Sequence, residues 1–185
     1  MKRTLLFVLA LAVTPVGVDA QVPYLEVMRT RAEQGHAFSQ SFLGGIYADG
    51  DGVPQDYEEA VRWYRLAADQ GSASAYFGLG SMYYYGRGVP EDHAEAVRWY
   101  RLAAEQGNLG SQSLLGAMYR DGEGVPVDYV LAYMWFNLAA AQGGSDAQRT
   151  KDIINDILAP QMTREQIAEG QRLTREWLEA HPPGN

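Results

Sequence analysis

The chain has 185 residues, 46% of them hydrophobic, which suffices for one modest globular unit or a short array of repeats but not for two large domains. Fifteen basic and twenty-three acidic side chains give a net charge of -8, which disfavours sequence-independent binding to nucleic acid or to anionic membranes. Cysteine is absent, so disulfides, thiolate metal sites and thiol nucleophiles are excluded.

The first twenty residues have the layout of a secretory signal peptide. Lys2 and Arg3 precede an uninterrupted apolar run over residues 5–13, and a breaker region then leads to the small residue Ala20. Because the run is far shorter than the roughly twenty residues of a bilayer-spanning helix, cleavage near Ala20 is favoured over a permanent anchor or an N-terminal core helix. The sequence therefore predicts a signal peptide over residues 1–20 and a mature protein that is periplasmic or secreted.

A period of thirty-six residues organises the rest of the chain. Leucine-glycine pairs, tyrosines, tryptophans and the glycines of an Ala-x-Gln-Gly phrase all recur at this interval. Their positions are Leu43-Gly44, Leu79-Gly80 and Leu115-Gly116; Tyr47, Tyr83 and Tyr119; Trp63, Trp99 and Trp135; and Gly35, Gly71, Gly107 and Gly143. Periods of twenty to fifty residues are typical of solenoids, in which each unit buries its apolar face by stacking on its neighbours.

Each unit contains two helical patterns. In the first unit, residues at helical spacing predict helices over 36–48 and 57–69. A Gly-x-Gly-Val-Pro phrase ends the first helix, and Asp56 is placed to cap the second. Gly44 and its counterparts lie inside the first helix, where glycine costs about 1 kcal/mol relative to alanine. We explain this cost by the close approach of an aromatic ring.

The phrase that runs from Leu79-Gly80 through Tyr83, Gly86-Arg87-Gly88-Val89, Asp92 and Trp99-Tyr100 to Gly107 resembles the Sel-one-like repeat (SLR), a relative of the tetratricopeptide repeat. Three copies over residues 36–71, 72–107 and 108–143 cover more than half of the chain. The resemblance implies an all-α fold, a right-handed α/α solenoid of antiparallel helix pairs that serves as a scaffold or adaptor.

Both ends of the array are predicted to carry caps. Residues 21–35 match a second helix alone and predict an N-terminal capping helix. Residues 144–180 predict two C-terminal capping helices, which begin at the capping-box residues Ser145 and Thr163, and residues 181–185 form a tail. The helix over 129–141 is apolar nearly all round, so we expect the C-terminal helices to cover it; the alternative is a partner-binding patch.

The sequence offers little catalytic chemistry. An acylating serine with a lysine three residues on is excluded, because Lys151 is the only lysine after residue 20 and position 148 is glutamine. Ser145 lies in a phrase that approximates a nucleophile elbow, but no strand precedes it. The acidic loop at Asp49 and Asp51 lacks the further oxygen ligands that calcium requires. We therefore predict no catalytic, cofactor or metal site, and a protein that is not an enzyme.

A partner is expected to contact positions that differ between the copies. In tetratricopeptide-like stacks the first helices line the concave wall, so the resemblance implies a groove on these helices. The predicted partner-binding residues are Tyr76, Phe77, Ser81, Tyr84, Gln112, Ser113 and Arg120. Tyrosine and arginine are enriched at binding hot spots. The alternative is that Phe77 fills the core and the tyrosines reach the surface only with their hydroxyls.

Two functions from different classes follow. The favoured one is an exported SLR scaffold that binds a protein or peptide through the concave groove, in cell-envelope assembly, signalling or host interaction. The acidic character of the chain favours basic partners. The alternative is a cell-envelope hydrolase or wall-glycan-binding accessory that uses groove carboxylates as acid and base.

Trp99 is expected to be a buried stacking element of the middle unit. If so, Trp99→Ala should lower the free energy of unfolding by about 3–5 kcal/mol, as measured by urea denaturation. A loss below about 1 kcal/mol would place the ring on the surface.

Overall fold

The computed structural model describes residues 21–143 and 147–182. The predicted signal segment, the predicted cap and elbow residue Ser145 and the last three residues of the tail lie outside the described residues. The described part is helical and contains no strand. The helices are α1 (Gln21–Glu33), α2 (Ala37–Asp49), α3 (Tyr57–Ala68), α4 (Ala73–Tyr85), α5 (His93–Glu105), α6 (Leu109–Asp121), α7 (Tyr129–Ala141), α8 (Ala147–Asp152) and α9 (Arg164–Ala180).

A π-helical stretch, Ile153–Leu158, and a short 3-10 turn, Ala159–Gln161, connect α8 to α9. Successive helices pack as pairs, α2 with α3, α4 with α5 and α6 with α7, and each pair packs on the next. The prediction of an all-α solenoid of antiparallel helix pairs is therefore confirmed. Within residues 21–143 and 147–182, no helix combines the length and the apolar character needed to cross a bilayer.

The residues that were predicted to begin and end the helices of each repeat have the expected conformations and hydrogen bonds. Gly50 adopts a left-handed conformation (φ 72°) at the end of α2, as do its counterparts after α4 and α6. The Asp56 carboxylate accepts a hydrogen bond from the Glu59 amide at the start of α3, and Asp92 and Asp128 cap α5 and α7 in the same way. Each helix pair is thus closed by its own loop.

The second glycine of the Gly-x-Gly-Val-Pro loop joins one unit to the unit before it. Gly88 has φ 69°, and a Cβ atom there would lie 2.4 Å from the carbonyl oxygen of Tyr57, at the start of α3. Gly124 has φ 70° and meets His93 of α5 equally closely. Because these contacts are between backbones, a side chain cannot be accommodated at either position.

The glycines inside the first helices receive aromatic rings. A Cβ atom on Gly44 would lie 2.5 Å from the Tyr64 ring, and one on Gly80 would lie 2.6 Å from the Tyr100 ring. The Tyr64 ring also lies against Gly78 of the next unit, where the corresponding distance is 2.5 Å. The predicted close approach is therefore confirmed, and one ring holds together both its own pair and the neighbouring one.

The expectation for Trp99 requires a correction. Trp63 and Trp135 are buried, but Trp99 is half-buried, and its ring lies 5.8 Å from that of Tyr76. The buried stacking element of the middle unit is the next residue, Tyr100, which is 1% exposed. We accordingly place the cost of Trp99→Ala near the lower end of its range, at about 3 kcal/mol.

A hydrogen bond between arginine and tyrosine links each second helix to the following first helix. Arg29 of α1 donates to the Tyr47 hydroxyl at 2.9 Å, and Arg65 of α3 donates to the Tyr83 hydroxyl at 3.2 Å. Arg101 of α5 bonds the Tyr119 hydroxyl in the same way. Helix α1 therefore makes the contact of a second helix, although no first helix precedes it in the described residues.

The C-terminal helices cover the third unit. Helix α9 crosses α7 at Gly170, where a Cβ atom would lie 2.7 Å from the Tyr133 ring. Ile154 and Leu158 are buried in the same core as α7. The predicted capping box at Thr163 is present, because its hydroxyl accepts from the Gln166 amide and the Gln166 side chain accepts from the Thr163 amide.

Adjacent glycines in α2 give a matched test of the ring contact. Gly44→Ala should lower the free energy of unfolding by about 1–3 kcal/mol, because the new methyl group overlaps the Tyr64 ring. Gly45→Ala should raise it by up to about 1 kcal/mol, because its Cβ atom would have an ordinary 3.7 Å contact and alanine favours the helix. Urea denaturation measures both, and equal effects would contradict the contact.

Candidate partner-binding surface

Five of the seven predicted partner-binding residues occupy equivalent faces of two first helices, α4 and α6. Phe77, Ser81 and Tyr84 have the spacing of a single face of α4, and Ser113 and Arg120 take the positions of Phe77 and Tyr84 one period later on α6. All five side chains are half-buried. We call these five residues the α4–α6 surface.

Gln112 is an interior residue. Its side chain is 0% exposed, its Nε2 donates to the Ala104 carbonyl at 3.1 Å, and its Oε1 accepts from Gln142 at 2.9 Å. Gln40 makes the same pair of bonds in the first unit, to Ala32 at 3.1 Å and from Gln70 at 2.7 Å. A side chain with no exposed area cannot contact a partner in this conformation, so Gln112 is withdrawn from the predicted set.

Tyr76 takes the place of this glutamine in the middle unit. It is half-buried, packs on Trp99 and belongs to the core between the first two units. Gln106, the counterpart of Gln142, donates to the Gly71 carbonyl at 3.0 Å, as Gln142 does to the Gly107 carbonyl at 3.2 Å. The structure therefore places Tyr76 apart from the α4–α6 surface, with its ring used for packing.

Phe77 and Ser81 connect the α4–α6 surface to the core. The Phe77 ring lies 5.9 Å from that of Tyr100, and a Cβ atom on Gly110 would lie 3.1 Å from it. The Ser81 hydroxyl accepts from the Tyr100 hydroxyl at 3.2 Å and donates to the Phe77 carbonyl at 3.1 Å. Phe77 thus fills the gap between α4, α5 and α6, which is the alternative that the sequence left open.

Tyr84 is held by contacts on several sides. Its hydroxyl donates to Glu123 Oε2 at 2.8 Å, its ring stacks on His93 at 4.7 Å, and Tyr85 lies edge-on at 4.9 Å. The hydrogen bond to Glu123, together with partial burial and the charge of that carboxylate, raises the pKa of Tyr84 to about 12. The phenol is therefore a fixed, neutral donor at physiological pH.

Arg120 is paired with its own neighbour. Its guanidinium binds the Asp121 carboxylate through two bonds of 2.5 and 2.7 Å, and this contact holds the pKa of Asp121 below its ordinary value. Since the Glu123 carboxylate lies beside Tyr84, the rim of the α4–α6 surface carries two carboxylates and one arginine. The excess of negative charge at this rim favours a partner that presents a positive charge.

Sequence reasoning missed Glu123 and the stacking role of His93. Glu123 lies between the two glycines of the third loop, at the position that carries Asp51 and Arg87 in the other copies. That variation was a usable signal, because residues of the common framework mostly recur between the copies. The stacking of His93 on Tyr84 depends on the packing of α5 against α4 and has no sequence signal of its own.

Catalytic and metal chemistry gains no support from the side chains described. Among them, no three or more histidine and carboxylate groups are close enough together to hold a metal ion. His93 lies 3.4 Å from one carboxylate, that of Glu91, at the exposed start of α5. The absence of a catalytic or cofactor site stays a prediction.

Three copies of the Sel1 repeat family model match residues 37–72, 73–108 and 110–144. The chain belongs to the Sel1 repeat family. The matched copies begin within two residues of the predicted units, and they contain the helix pairs α2–α3, α4–α5 and α6–α7. Sel1 repeats are generally non-enzymatic scaffolds for protein-protein interaction.

Two solved structures share this Sel1 repeat architecture. A Sel1 repeat protein from Oxalobacter formigenes is 42% identical with a TM-score of 0.61, over 70% of this chain and 98% of that one. A protective antigen with an SLR fold from uropathogenic Escherichia coli is 29% identical with a TM-score of 0.62, over 88% of this chain and 42% of that one. The present chain thus spans less than half of the antigen's length. No curated protein sequence matches the chain significantly.

The Tyr84 hydroxyl gives a pH-dependent signal. Because its folded-state pKa lies above the ordinary value of about 10, its contribution to stability is present below pH 10 and is lost as the pH rises through about 12. Tyrosinate absorbance near 295 nm should show Tyr84 ionising late, together with the buried Tyr64 and Tyr100.

Tyr84→Phe should remove one late-ionising phenol and lower the free energy of unfolding at pH 7 by about 1 kcal/mol or less. Glu123→Gln serves as the control that keeps every tyrosine, and it should shift one phenol to an earlier ionisation. An unchanged titration curve in Glu123→Gln would show that the contact between Tyr84 and Glu123 is absent in solution.

Proposed function

We propose that this protein is an exported Sel1 repeat scaffold that binds a protein or peptide through the α4–α6 surface. Membership of the family supports the scaffold, and the signal-peptide layout of residues 1–20 supports export. The scaffold acts in the cell envelope or outside the cell, in assembly, signalling or host interaction. The partner segment carries a basic side chain, because the acidic chain presents carboxylates at this surface.

The observation that carries the proposal is the arrangement around Tyr84. Its ring is fixed by His93 and its hydroxyl by Glu123, so it loses little conformational freedom when a partner covers it. Tyrosine, tryptophan and arginine are enriched among the hot spots of protein interfaces. Since the first unit has alanine and the third has arginine at this position, the middle unit offers an aromatic contact that the other two lack.

Site-specific photocrosslinking in the native host tests this surface. A photoreactive phenylalanine analogue at Ser113 should crosslink to a partner protein, whereas the same analogue at the exposed Arg98 of α5 should not. Tyr84→Ala in the Ser113 background should reduce the crosslinked product at least about tenfold, the loss expected for a hot-spot residue. Thermal unfolding of each variant should show that the fold is retained.

Two results would contradict the proposal. Crosslinking from position 98 but not from position 113 would move the binding surface to the second helices. Turnover of cell-wall glycan or lactam substrates by the purified protein would support the alternative of an envelope hydrolase.

A further inference from the structure

Helix α1 exposes the face that α3 buries. Three side chains of α1 lie on this face at helical spacing and are exposed: Tyr24, Val27 and Arg31. One period later the same positions are buried where α3 packs on its own first helix, α2: Ala60, Trp63 and Ala67. Tyr24 is 51% exposed, whereas Ala60 is 0% exposed. The exposed face of α1 is therefore the face that would contact a first helix.

The start of α2 adds two aromatic rings to this face. Phe38 is 70% exposed, and its ring stacks on that of Phe42 at 6.5 Å. The Phe42 ring meets the Tyr24 ring edge-on at 5.6 Å. At the position of Phe38, α6 carries Gly110, where a Cβ atom would lie 3.1 Å from Phe77 of the preceding first helix, α4. Phe38 therefore lies on the side of α2 that would face a preceding first helix. We call the following residues the N-terminal face: Tyr24, Val27, Arg31, Phe38 and Phe42.

The charge of the N-terminal face is positive. Arg31 has no carboxylate within ion-pair distance among the described residues, and the two carboxylates of α1, Glu26 and Glu33, lie on the opposite side of the helix. In a helix pair of this array, the start of the first helix lies beside the end of the second. Gln40 in α2, for example, accepts from Gln70 just after α3 at 2.7 Å. A helix that packed on α1 in this way would therefore bring its first turn to Arg31.

We propose that the N-terminal face binds an amphipathic helix of a partner protein, which packs antiparallel to α1 as an additional first helix. Its first turn carries aspartate or glutamate opposite Arg31, where the helix dipole also favours a carboxylate. Its apolar stripe covers Tyr24, Val27 and Phe38. Because Val27 is smaller than Trp63 at the same position of the next unit, the face has room for a large apolar side chain of the partner.

The predicted signal segment fits this face less well. Residues 1–13 precede residues 37–49 of α2 by one period, so they have the register of a first helix. In that arrangement, however, Lys2 and Arg3 would lie beside Arg31, and like charges repel. The N-terminal face is also apart from the α4–α6 surface, so either proposal can fail without the other.

The test uses the protein as its host processes it, together with synthetic helical peptides. The probe is an acetylated, amidated peptide of about fifteen residues, with glutamates in its first turn and leucines along one face. A hydrocarbon staple on the opposite face keeps the probe and its controls helical. The controls carry lysine in place of the glutamates or serine in place of the leucines. In calorimetric titrations, both controls should bind at least about tenfold more weakly, because each removes one of the two interactions.

Arg31→Glu is the decisive variant. It should weaken binding of the glutamate peptide at least about tenfold and make the lysine peptide the tighter ligand, because the two charges are then exchanged. A general loss of structure would weaken both peptides and would not reverse the preference. Arg98→Glu, at an exposed arginine of α5 outside the N-terminal face, is the matched control and should bind as the wild type does.

Phe38→Ser tests the apolar part of the contact. Serine is the residue of the middle unit at this position, and the Phe38 ring is mostly exposed, so the melting temperature should change little. Binding of the glutamate peptide should weaken at least about tenfold. Leu109→Ser removes an exposed apolar side chain from the start of α6 and should leave binding unchanged.

Several results would overturn the proposal. These are no binding at about 1 mM peptide, equal binding of the lysine peptide to the wild type, or unchanged binding in Arg31→Glu. If the purified chain retains residues 1–20, binding that requires their removal would show instead that this segment occupies the face. A dimer that Phe38→Ser dissociates would show that a second copy does.

Discussion

The structure depends on an aromatic ring laid against a glycine backbone. In the first two units the Tyr64 and Tyr100 rings lie where a Cβ atom of Gly44 or Gly80 would be, and Phe136 takes the same place against Gly116. The glycines lower the intrinsic stability of each first helix, and the buried rings offset this by packing two helices at short range. Because the Tyr64 ring also lies against Gly78 of the next unit, pair formation and stacking of the units rest on the same contact.

The difference between framework positions and variable positions explains where a partner can bind. Most positions that build the framework recur between the copies and are buried or bonded within the array, as the arginine-tyrosine links are. The position of Gln112 is an exception, because it differs between the copies and is still buried. Positions free of that duty differ between copies, and Tyr84, Arg120 and Glu123 are of this kind. The proposed binding surface therefore uses the variable positions of α4 and α6.

The period of the sequence predicts most of the fold, because glycine, proline and aspartate act locally and the recurring apolar residues define which faces meet. The period does not show whether Trp99 or Tyr100 is the buried ring, because the burial of each ring depends on the rotation of α5 against α4. Gln112 was predicted to contact a partner because its position differs between the copies, but the Ala104 carbonyl and Gln142 bond its side chain inside the array. The recurrence of glutamine at positions 40 and 112 was the signal against that reading.

Gly88 and Gly124 bring the main chain of one unit onto the main chain of the unit before it. Main-chain atoms are the same for every amino acid, so this contact between consecutive units does not depend on which side chains the outer surface carries. Outer residues can therefore differ between the units without changing this contact. The backbone joint between units therefore stays the same whichever residues the outer surface carries.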